Sequence, residues 1–496
     1  MVNELNKQDS SATQLSERNG LEISIPSTYC KAMVSEHKTY WAQAINEELE
    51  SMHTENVFVP VDLSIALKEV PHERILSMKW VFTKKPKRFK ARLVARGFRQ
   101  IHGVNYDETF APTPTFNSLR LLFSTACFNA WKTRTFDVKV AFLHSLIDKP
   151  VYVWPPLGTK VPKLSVLKLR KALYGTKQAS RCWWMHLKGI LQKIGFNSNG
   201  EDPSTYTFNQ GNKQAILWVH IDDGALTASL PKLLDCISSQ LNACLKIKWD
   251  KAISGLVGIS ITEDDKGFKC WQPDLIDKLT NLNPSKIVAR TPLPANCQLI
   301  SNLSSNAMDK PYLKRIGILL YIAQASPYLR GTRDMGIQID RTNTSGELRC
   351  YVDASWGGEG NRSTHGYIIL HGSNPIAWQS KCQTMIASST AQAEYMALSF
   401  AAKETLWLYH LLLDTLKNPM LTFFSDNRTA IGISTESMNR KQTRHLIRDF
   451  DTINEYIAVG KLQLKWISTN EQLGDVMTKP LGRIKHGCFV KKINAL

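Results

Sequence analysis

The chain has 496 residues, a length for about two to four domains with substantial cores. Its composition is that of an ordinary globular protein, 43% hydrophobic and 21% charged, but 62 Lys and Arg face only 43 Asp and Glu and leave a formal charge of +19; such an excess favours a polyanionic partner, nucleic acid first. No 18-residue apolar run, basic amphipathic helix or signal-like N-terminus argues for a membrane role, and ten cysteines without a Cys-x-x-Cys pair argue against zinc ribbons and knuckles and for reduced thiols in an intracellular protein.

Residues 1–28 are rich in Ser, Asn, Glu and Gln and are expected to be a disordered polar segment. Trp41, Ile45, Leu49 and Met52 then recur at helical spacing and predict a helix over 40–52. Strands are expected at 80–83, 91–95, 133–137 and 216–221, within a mixed region of strands and helices that ends near Thr262. Residues 283–311, punctuated by Pro284, Pro292, Pro294 and Pro311, read as a linker, and 312–325 as an apolar helix. A second α/β segment begins near Glu347. It has expected strands at 348–352, 366–370 and 376–378 and a long helix over 391–416, with Ser389 and Gln392 in capping-box spacing at its start.

Asp222 and Asp223 lie in Leu217-Trp218-Val219-His220-Ile221-Asp222-Asp223-Gly224-Ala225-Leu226-Thr227, between two apolar, strand-like runs. That context predicts a hairpin tip that presents two carboxylates at one point. Carboxylates forced together repel, and a bound cation is the simplest reason to hold them there. Asp264-Asp265 is the contrast: it sits in a polar stretch ending at Gly267 and reads as a surface turn. A third acid, Asp137, is expected at the end of the strand Thr133-Arg134-Thr135-Phe136-Asp137. If it meets Asp222 in space, the two can hold a pair of divalent ions about 3.5–4 Å apart, which stabilise the attacking and leaving oxygens of an in-line phosphoryl displacement. Four more acids follow in ordered contexts: Asp353 after Tyr351-Val352, Glu394 in the first turn of a helix, Asp426 after Phe423-Phe424-Ser425, and Asp475 in Leu473-Gly474-Asp475-Val476. Singly each reads as a cap or a surface acid. Together they can hold two Mg2+ ions across a scissile phosphate and activate a water.

These words resemble a known family. Phe136-Asp137-Val138-Lys139-Val140-Ala141-Phe142-Leu143, Leu173-Tyr174-Gly175-Thr176-Lys177-Gln178-Ala179-Ser180-Arg181-Cys182-Trp183 and Val219-His220-Ile221-Asp222-Asp223 are similar, in order, to three motifs of copia-type reverse transcriptases. Upstream, Lys90-Ala91-Arg92-Leu93-Val94-Ala95-Arg96-Gly97-Phe98 and Tyr106-Asp107-Glu108-Thr109-Phe110-Ala111-Pro112 resemble two more. The order Asp353, Glu394, Asp426, Asp475 resembles ribonuclease H, and the surrounding words resemble its copia-type version. Leu256-Val257-Gly258-Ile259-Ser260-Ile261 and residues 312–321 resemble segments that lie between the two in that family, so the resemblance covers roughly residues 40–485.

The resemblance implies the reverse transcriptase–ribonuclease H portion of an LTR retrotransposon Pol polyprotein. The implied fold class is α/β and α+β multidomain: a right-hand polymerase of fingers and palm with a small thumb-like region, followed by a ribonuclease H-like α/β domain. The implied boundaries are 29–265 for fingers and palm, 266–345 for the thumb or connection with the linker, and 346–496 for the nuclease. By the same resemblance Asp137 and Asp222 bind metal and Asp223 supports them, Phe142 lies under the incoming sugar and excludes a ribose 2′-hydroxyl, Lys90 and Arg92 grip the triphosphate, and Gln178 lines the dNTP pocket. Asp353, Glu394, Asp426 and Asp475 form the nuclease set. The implied cofactor is Mg2+ or Mn2+, two ions per active site. The implied partners are an RNA template, a DNA primer and product, the RNA–DNA hybrid, dNTPs, a tRNA primer, and the integrase and Gag proteins of the element. The implied location is the cytoplasm, in a virus-like particle, or the nucleus.

Some residues depart from the family pattern. His220-Ile221 stands where Tyr-Val is usual, and Thr113-Pro114-Thr115-Phe116 replaces a more basic stretch. Around His445, Ile447 stands where Asp is usual and Asp451 where His is usual, which leaves His445 outside the catalytic set. No protease, integrase zinc site or Gag knuckle is visible, so the expectation is a processed product, a gene fragment or a truncated copy. Two other classes stay open: a domesticated or degenerate remnant that binds nucleic acid without catalysis, and an intron-maturase type of reverse transcriptase.

Overall fold

A computed structural model describes residues 24–85, 88–159, 161–281, 333–342, 345–357, 362–413, 419–435 and 454–493. The expected linker 283–311, the apolar helix 312–325, His445 with its flanks and most of the 1–28 segment lie outside the described residues. The chain divides into two compact units: 1–112 with 138–193 and 244–246, and 113–137 with 194–243 and 247–496.

The first unit is organised by the helix Lys38–Thr54, which buries Trp41, Ala44, Ile45 and Met52, three of the four positions whose spacing predicted it. That face packs on a hairpin, Met78–Lys85 with Arg88–Ala95, in which Thr83 opposes Lys90 and Val81 opposes Arg92. Strand alternation sends Trp80, Phe82, Ala91, Leu93 and Ala95 inward, and Trp41 meets Phe82 and Phe89 edge-on at 5.2 and 4.6 Å. A three-stranded sheet of Phe58–Asp62, Ser165–Leu169 and Tyr152–Val153 completes the unit's sheets. The turn at 173–175 is fastened to the hairpin by Ala95 N–H, which donates to the Tyr174 carbonyl at 2.8 Å. Two glycines allow this: a Cβ on Gly97 would stand 2.1 Å from the Gly175 carbonyl oxygen, and one on Gly175 (φ +88°) would stand 2.2 Å from the Ala95 carbonyl oxygen.

The second unit contains three sheets. One has six strands in the order Ile247–Trp249, Lys132–Val138, Asp223–Ala228, Lys213–His220, Thr205–Gln210, Asn197–Ser198. A four-stranded sheet orders Gly255–Leu256, Ile259–Asp264, Gly267–Trp271 and Ile337–Asp340. The five-stranded sheet orders Asn374–Cys382, Thr364–His371, Leu348–Ser355, Leu421–Ser425 and Leu462–Trp466. Its first three strands are antiparallel and the last two run parallel to Leu348–Ser355. The helix Thr390–Leu413 covers it and buries Ala393, Ala397, Ala401 and Leu408, so the C-terminal segment has the expected mixed sheet with a flanking helix.

The cap of that helix differs in detail from the expected box. Gln392 N–H does donate to Ser389 Oγ at 3.2 Å, but the Gln392 side chain accepts from the N–H of Ser388, one residue earlier. Asp264-Asp265 is the expected exposed turn, with Asp264 Oδ1 accepting from Lys266 and Gly267 N–H. This turn joins Ile259–Asp264 to Gly267–Trp271, so the expected boundary between 265 and 266 falls inside a hairpin.

The helix Phe116–Phe128 connects these sheets. Thr115 caps it by accepting from Ser118 N–H at 3.0 Å, and every residue from Ser118 to Cys127 is buried. Leu119, Leu122, Phe123 and Ala126 pack with Ile216, Trp218 and Ala225 and with Phe268 and Ile339, while Leu121 joins the core of the five-stranded sheet. A helix apolar on all sides belongs in an interior, yet this one carries Arg120. Its guanidinium donates to the Ile376 carbonyl at 2.6 Å, bonds Asn117 Oδ1 and lies 4.2 Å from the Trp378 ring centroid. One turn further, Ser124 Oγ meets His371 Nδ1 at 2.8 Å and accepts from Asn374 at 3.0 Å.

Burial pushes the His371 imidazole down from 6.5 to about 4. A depressed His contributes stability that is complete above the unfolded value and is lost as pH falls toward the folded one, because the unfolded chain takes the proton first. Between pH 6.5 and about 4 this group should cost about 3 kcal/mol. Urea denaturation across that range checks it: His371→Gln is expected to flatten the acid limb, and a limb unchanged by the substitution refutes the assignment.

Candidate active sites

The strand Lys132–Val138 lies beside Asp223–Ala228, and their register sets Asp137 directly opposite Asp223. On the other side Asp223 pairs with His220, which leaves Ile221 and Asp222 as a two-residue hairpin loop. The predicted hairpin tip is therefore present, with the third acid on the neighbouring strand. A two-residue hairpin that follows strand twist requires positive φ in its loop, and Ile221 supplies it at 58°. A β-branched residue is strained there, at about 1–3 kcal/mol. Beside the loop, Gly224 faces Phe136 on the neighbouring strand, whose ring a Cβ would meet at 2.2 Å.

The acids crowd one another. Burial, then the charges of Asp222 and Asp137, push the Asp223 carboxyl up to about 6. Asp250, which the sequence reading did not single out, adds a smaller push; it accepts from Thr135 Oγ1 at 2.8 Å on the adjacent strand. Its only signal in sequence is an Asp after a short strand, which by itself reads as a cap.

Lys90, Arg92, Phe142 and Gln178 belong to the first unit. Lys90 and Arg92 share one face of the hairpin, half-buried, with the Arg92 guanidinium 5.6 Å from the Tyr174 ring. Burial and then the neighbouring Arg92 and Lys85 charges lower Lys90 from its ordinary value. Phe142 is half-buried against Ala172, Ala179 and Cys182 and meets Tyr174 edge-on at 5.0 Å. Gln178 is placed differently from the expected pocket-lining position. It is fully buried, accepts from Gln100 at 2.9 Å and donates to the Asn105 carbonyl at 2.8 Å. Both ends of its amide are thus spent on protein partners.

Three of the four acids in the second set converge. Asp353 sits on the central strand, Glu394 on the covering helix and Asp426 just beyond Leu421–Ser425. Their carboxylate oxygens lie within 4.8 Å of one another, the one such group of three or more among the described residues. Asp353 and Glu394 are buried, and Asp426, half-buried, accepts from Thr469 Oγ1 at 2.8 Å. Burial, then the Asp353 and Asp426 charges, push Glu394 up to about 9, and its Oε2 is buried without a hydrogen-bond partner. A buried carboxylate with an orphaned oxygen beside two others is a donor set that fits a hard divalent cation.

Asp475 opens the helix Asp475–Thr478 and is buried, but it is not in that group of three. Its oxygens go to two lysines, Lys479 at 2.7 Å and Lys485 at 2.5 Å. Lys479 also reaches Asp353 at 3.1 Å, and Thr478 Oγ1 donates to the other Asp353 oxygen. Gln472 anchors the loop before this helix: buried, it donates to the carbonyls of Val352 (2.9 Å) and Phe424 (3.3 Å). Sequence reasoning singled out neither lysine.

A family model described as "Reverse transcriptase (RNA-dependent DNA polymerase)" matches residues 65–287. The chain is 30% identical, over 95% of its length, to the retrovirus-related Pol polyprotein from transposon RE2 of Arabidopsis thaliana, and covers 35% of that protein. It is 28% identical, over 93% of its length, to the one from transposon TNT 1-94 of Nicotiana tabacum, and covers 38% of it. It thus spans about a third of the length of these relatives. Among solved structures, a foamy viral protease-reverse transcriptase in complex with double-stranded DNA aligns over 86% of this chain and 69% of its own, with TM-score 0.47 and 11% identity.

The donor set of the buried triad generates a binding expectation. Mg2+ at a hundred times its dissociation constant should stabilise the folded chain by about 2.7 kcal/mol. Differential scanning calorimetry should show that rise in Tm in a chain carrying Asp222→Asn. Adding Glu394→Gln should remove the rise while raising the metal-free Tm, because a neutral amide ends the cost of burying a carboxyl there and of protonating it beside Asp353 and Asp426. An equal Mg2+ response with and without Glu394→Gln refutes it.

Proposed function

We propose, from the kinship of this chain with the Pol polyproteins of copia-type transposons over most of its length, that it is an RNA-directed DNA polymerase with a tethered ribonuclease H. The observation that supports this most is the presence of two separate acid clusters in one chain. One is a hairpin tip beside a paired strand acid (Asp137, Asp222, Asp223), and the other a triad drawn from the central strand of a mixed sheet, its covering helix and the end of the next strand (Asp353, Glu394, Asp426). Two such clusters fit two phosphoryl-transfer reactions, one that extends a primer on RNA and one that cuts the RNA of the resulting hybrid.

Divalent ions, Mg2+ or Mn2+ and two per site, would supply charge neutralisation and an activated oxygen nucleophile. The chain's own residues do the rest. Asp137 and Asp222 present carboxylates from a strand and a tight loop whose register leaves little freedom. Lys90 and Arg92 offer a point charge and a planar fork to a triphosphate. Phe142 limits the room for a ribose 2′-hydroxyl. Asp475, held by Lys479 and Lys485, supports the nuclease triad from the side. The expected domain limits, 29–265, 266–345 and 346–496, belong to this reading, with the first moved past the hairpin Ile259–Trp271. So do its partners (RNA template, DNA primer, hybrid, dNTPs, a tRNA primer, integrase and Gag) and a cytoplasmic particle or nuclear location. Among the described residues no helix is long and apolar enough to cross a membrane. The net charge of +19 suits a hybrid's phosphates, with affinity falling steeply as salt rises.

Two assays separate the activities. Asp222→Asn should lower extension of a primed RNA by about three orders of magnitude or more and leave hybrid cleavage intact, and Asp353→Asn should do the reverse. Wild-type chain that extends nothing over a broad range of metal and salt favours the non-catalytic, nucleic-acid-binding remnant instead. Phe142→Val should raise ribonucleotide incorporation relative to dNTP incorporation by about ten- to a hundredfold in single-nucleotide extension. An unchanged ratio would remove Phe142 from the sugar-selecting role.

A further inference from the structure

Lys479 occupies an unusual position beside the triad. Its Nζ bridges Asp353 and Asp475 at 3.1 and 2.7 Å. Asp353 is thus shared: it belongs to the group Asp353, Glu394, Asp426 and, through another contact, to the pair formed with Asp475. A two-metal centre shares carboxylates in this way, with the ions about 3.5–4 Å apart. Here the position between Asp353 and Asp475 is held by an ammonium group. The charge balance agrees: once a bound cation displaces the Glu394 proton, the four carboxylates are met by Lys479 and Lys485, and the remaining deficit is one that a single divalent ion cancels.

We propose that Lys479 is a resident cation that holds the second ion's position of the nuclease centre, so that the free protein takes up one divalent ion there. The short helix Asp475–Thr478 places Lys479 for this, since residues four apart share a helical face and Asp475 and Lys479 are such a pair. The helix is pressed against the sheet: a Cβ on Gly366 would stand 2.4 Å from that of Met477, and one on Gly474 would stand 3.0 Å from that of Asp353. Lys485 approaches Asp475 from the following helix, Arg483–Lys492, and neutralises its second oxygen without touching Asp353. The Lys479 side chain is 37% exposed, unlike the buried acids it joins. It therefore has a path to solvent, and an arriving phosphodiester offers it an alternative anion. The second divalent ion enters when Lys479 transfers to that phosphate. Lys479 is on this account a positioning residue, acting through Asp353 and Asp475.

The inference rests on the nuclease reading of the triad, and its test counts ions rather than turnover. The full chain carrying Asp137→Asn and Asp222→Asn, to silence the hairpin acids, is titrated with Mn2+ without nucleic acid, and bound ion is read from the loss of the free-Mn2+ electron paramagnetic resonance signal. One ion lost on adding Asp353→Asn to that background identifies the nuclease centre. Lys479→Met should raise the count there from one to two, Lys479→Arg should leave it at one, and Lys485→Met should leave it at one. Should Lys479→Met not fold by circular dichroism, Lys479→Gln gives the same count. Two ions with Lys479 present, or one ion in its folded neutral variant, overturns the proposal. Hybrid cleavage assayed in parallel keeps the two readings apart: cleavage with two ions already bound refutes only the role of Lys479, whereas the shift from one to two in a chain that never cleaves hybrid refutes only the nuclease reading.

Discussion

The second unit depends on a helix with no solvent face. Residues Ser118 to Cys127 of Phe116–Phe128 are buried throughout, and the side chains on its different sides join two separate hydrophobic cores. Both acid clusters are carried by sheets that meet this helix, so the positions of Asp137 and Asp222 and of Asp353 and Glu394 are referred to one element. An apolar contact alone would permit sliding. The polar inserts remove that freedom, because Arg120 must find the Ile376 carbonyl and Ser124 must find His371, and an unmatched buried donor costs about 1–3 kcal/mol.

The two clusters solve the same electrostatic problem differently. At the hairpin the acids are only half-buried, and repulsion is relieved by raising one carboxyl, Asp223, into the range where it takes up a proton in mild acid. At the second cluster burial is deeper, and lysines from the end of a short helix and from the helix after it answer two of the acids while Glu394 absorbs the rest as a proton. Solvent can assist the first arrangement and not the second, so the second needs counter-charges built into the fold.

What was readable in the chain follows from this physics. Apolar runs announced the strands around Asp222, which are buried on both faces, and helical spacing announced the helix of Trp41, which buries one. The ordered acids were legible as chemistry because their neighbours were apolar. Gln178 was misplaced: a buried amide with both ends satisfied has no periodic signature and looks the same in sequence as one that meets a ligand. Asp250 and His371 were invisible for a related reason. Their partners lie far off in sequence or in a register that only the folded sheets define, as with His371 and Ser124.

The contact between Gly97 and Gly175 has a consequence for how such a chain can diverge. Each position is closed by main-chain oxygen, Gly97 by that of Gly175 and Gly175 by that of Ala95. Obstructions made of side chain can be cleared by a second substitution, and pairs of that sort leave correlated changes in a lineage. A carbonyl oxygen is present whatever residue bears it, so no partner change restores the space. These two sites should therefore be silent in any covariation signal while tolerating no replacement, and the most tightly coupled contact of the first unit would be the one that coevolution cannot report.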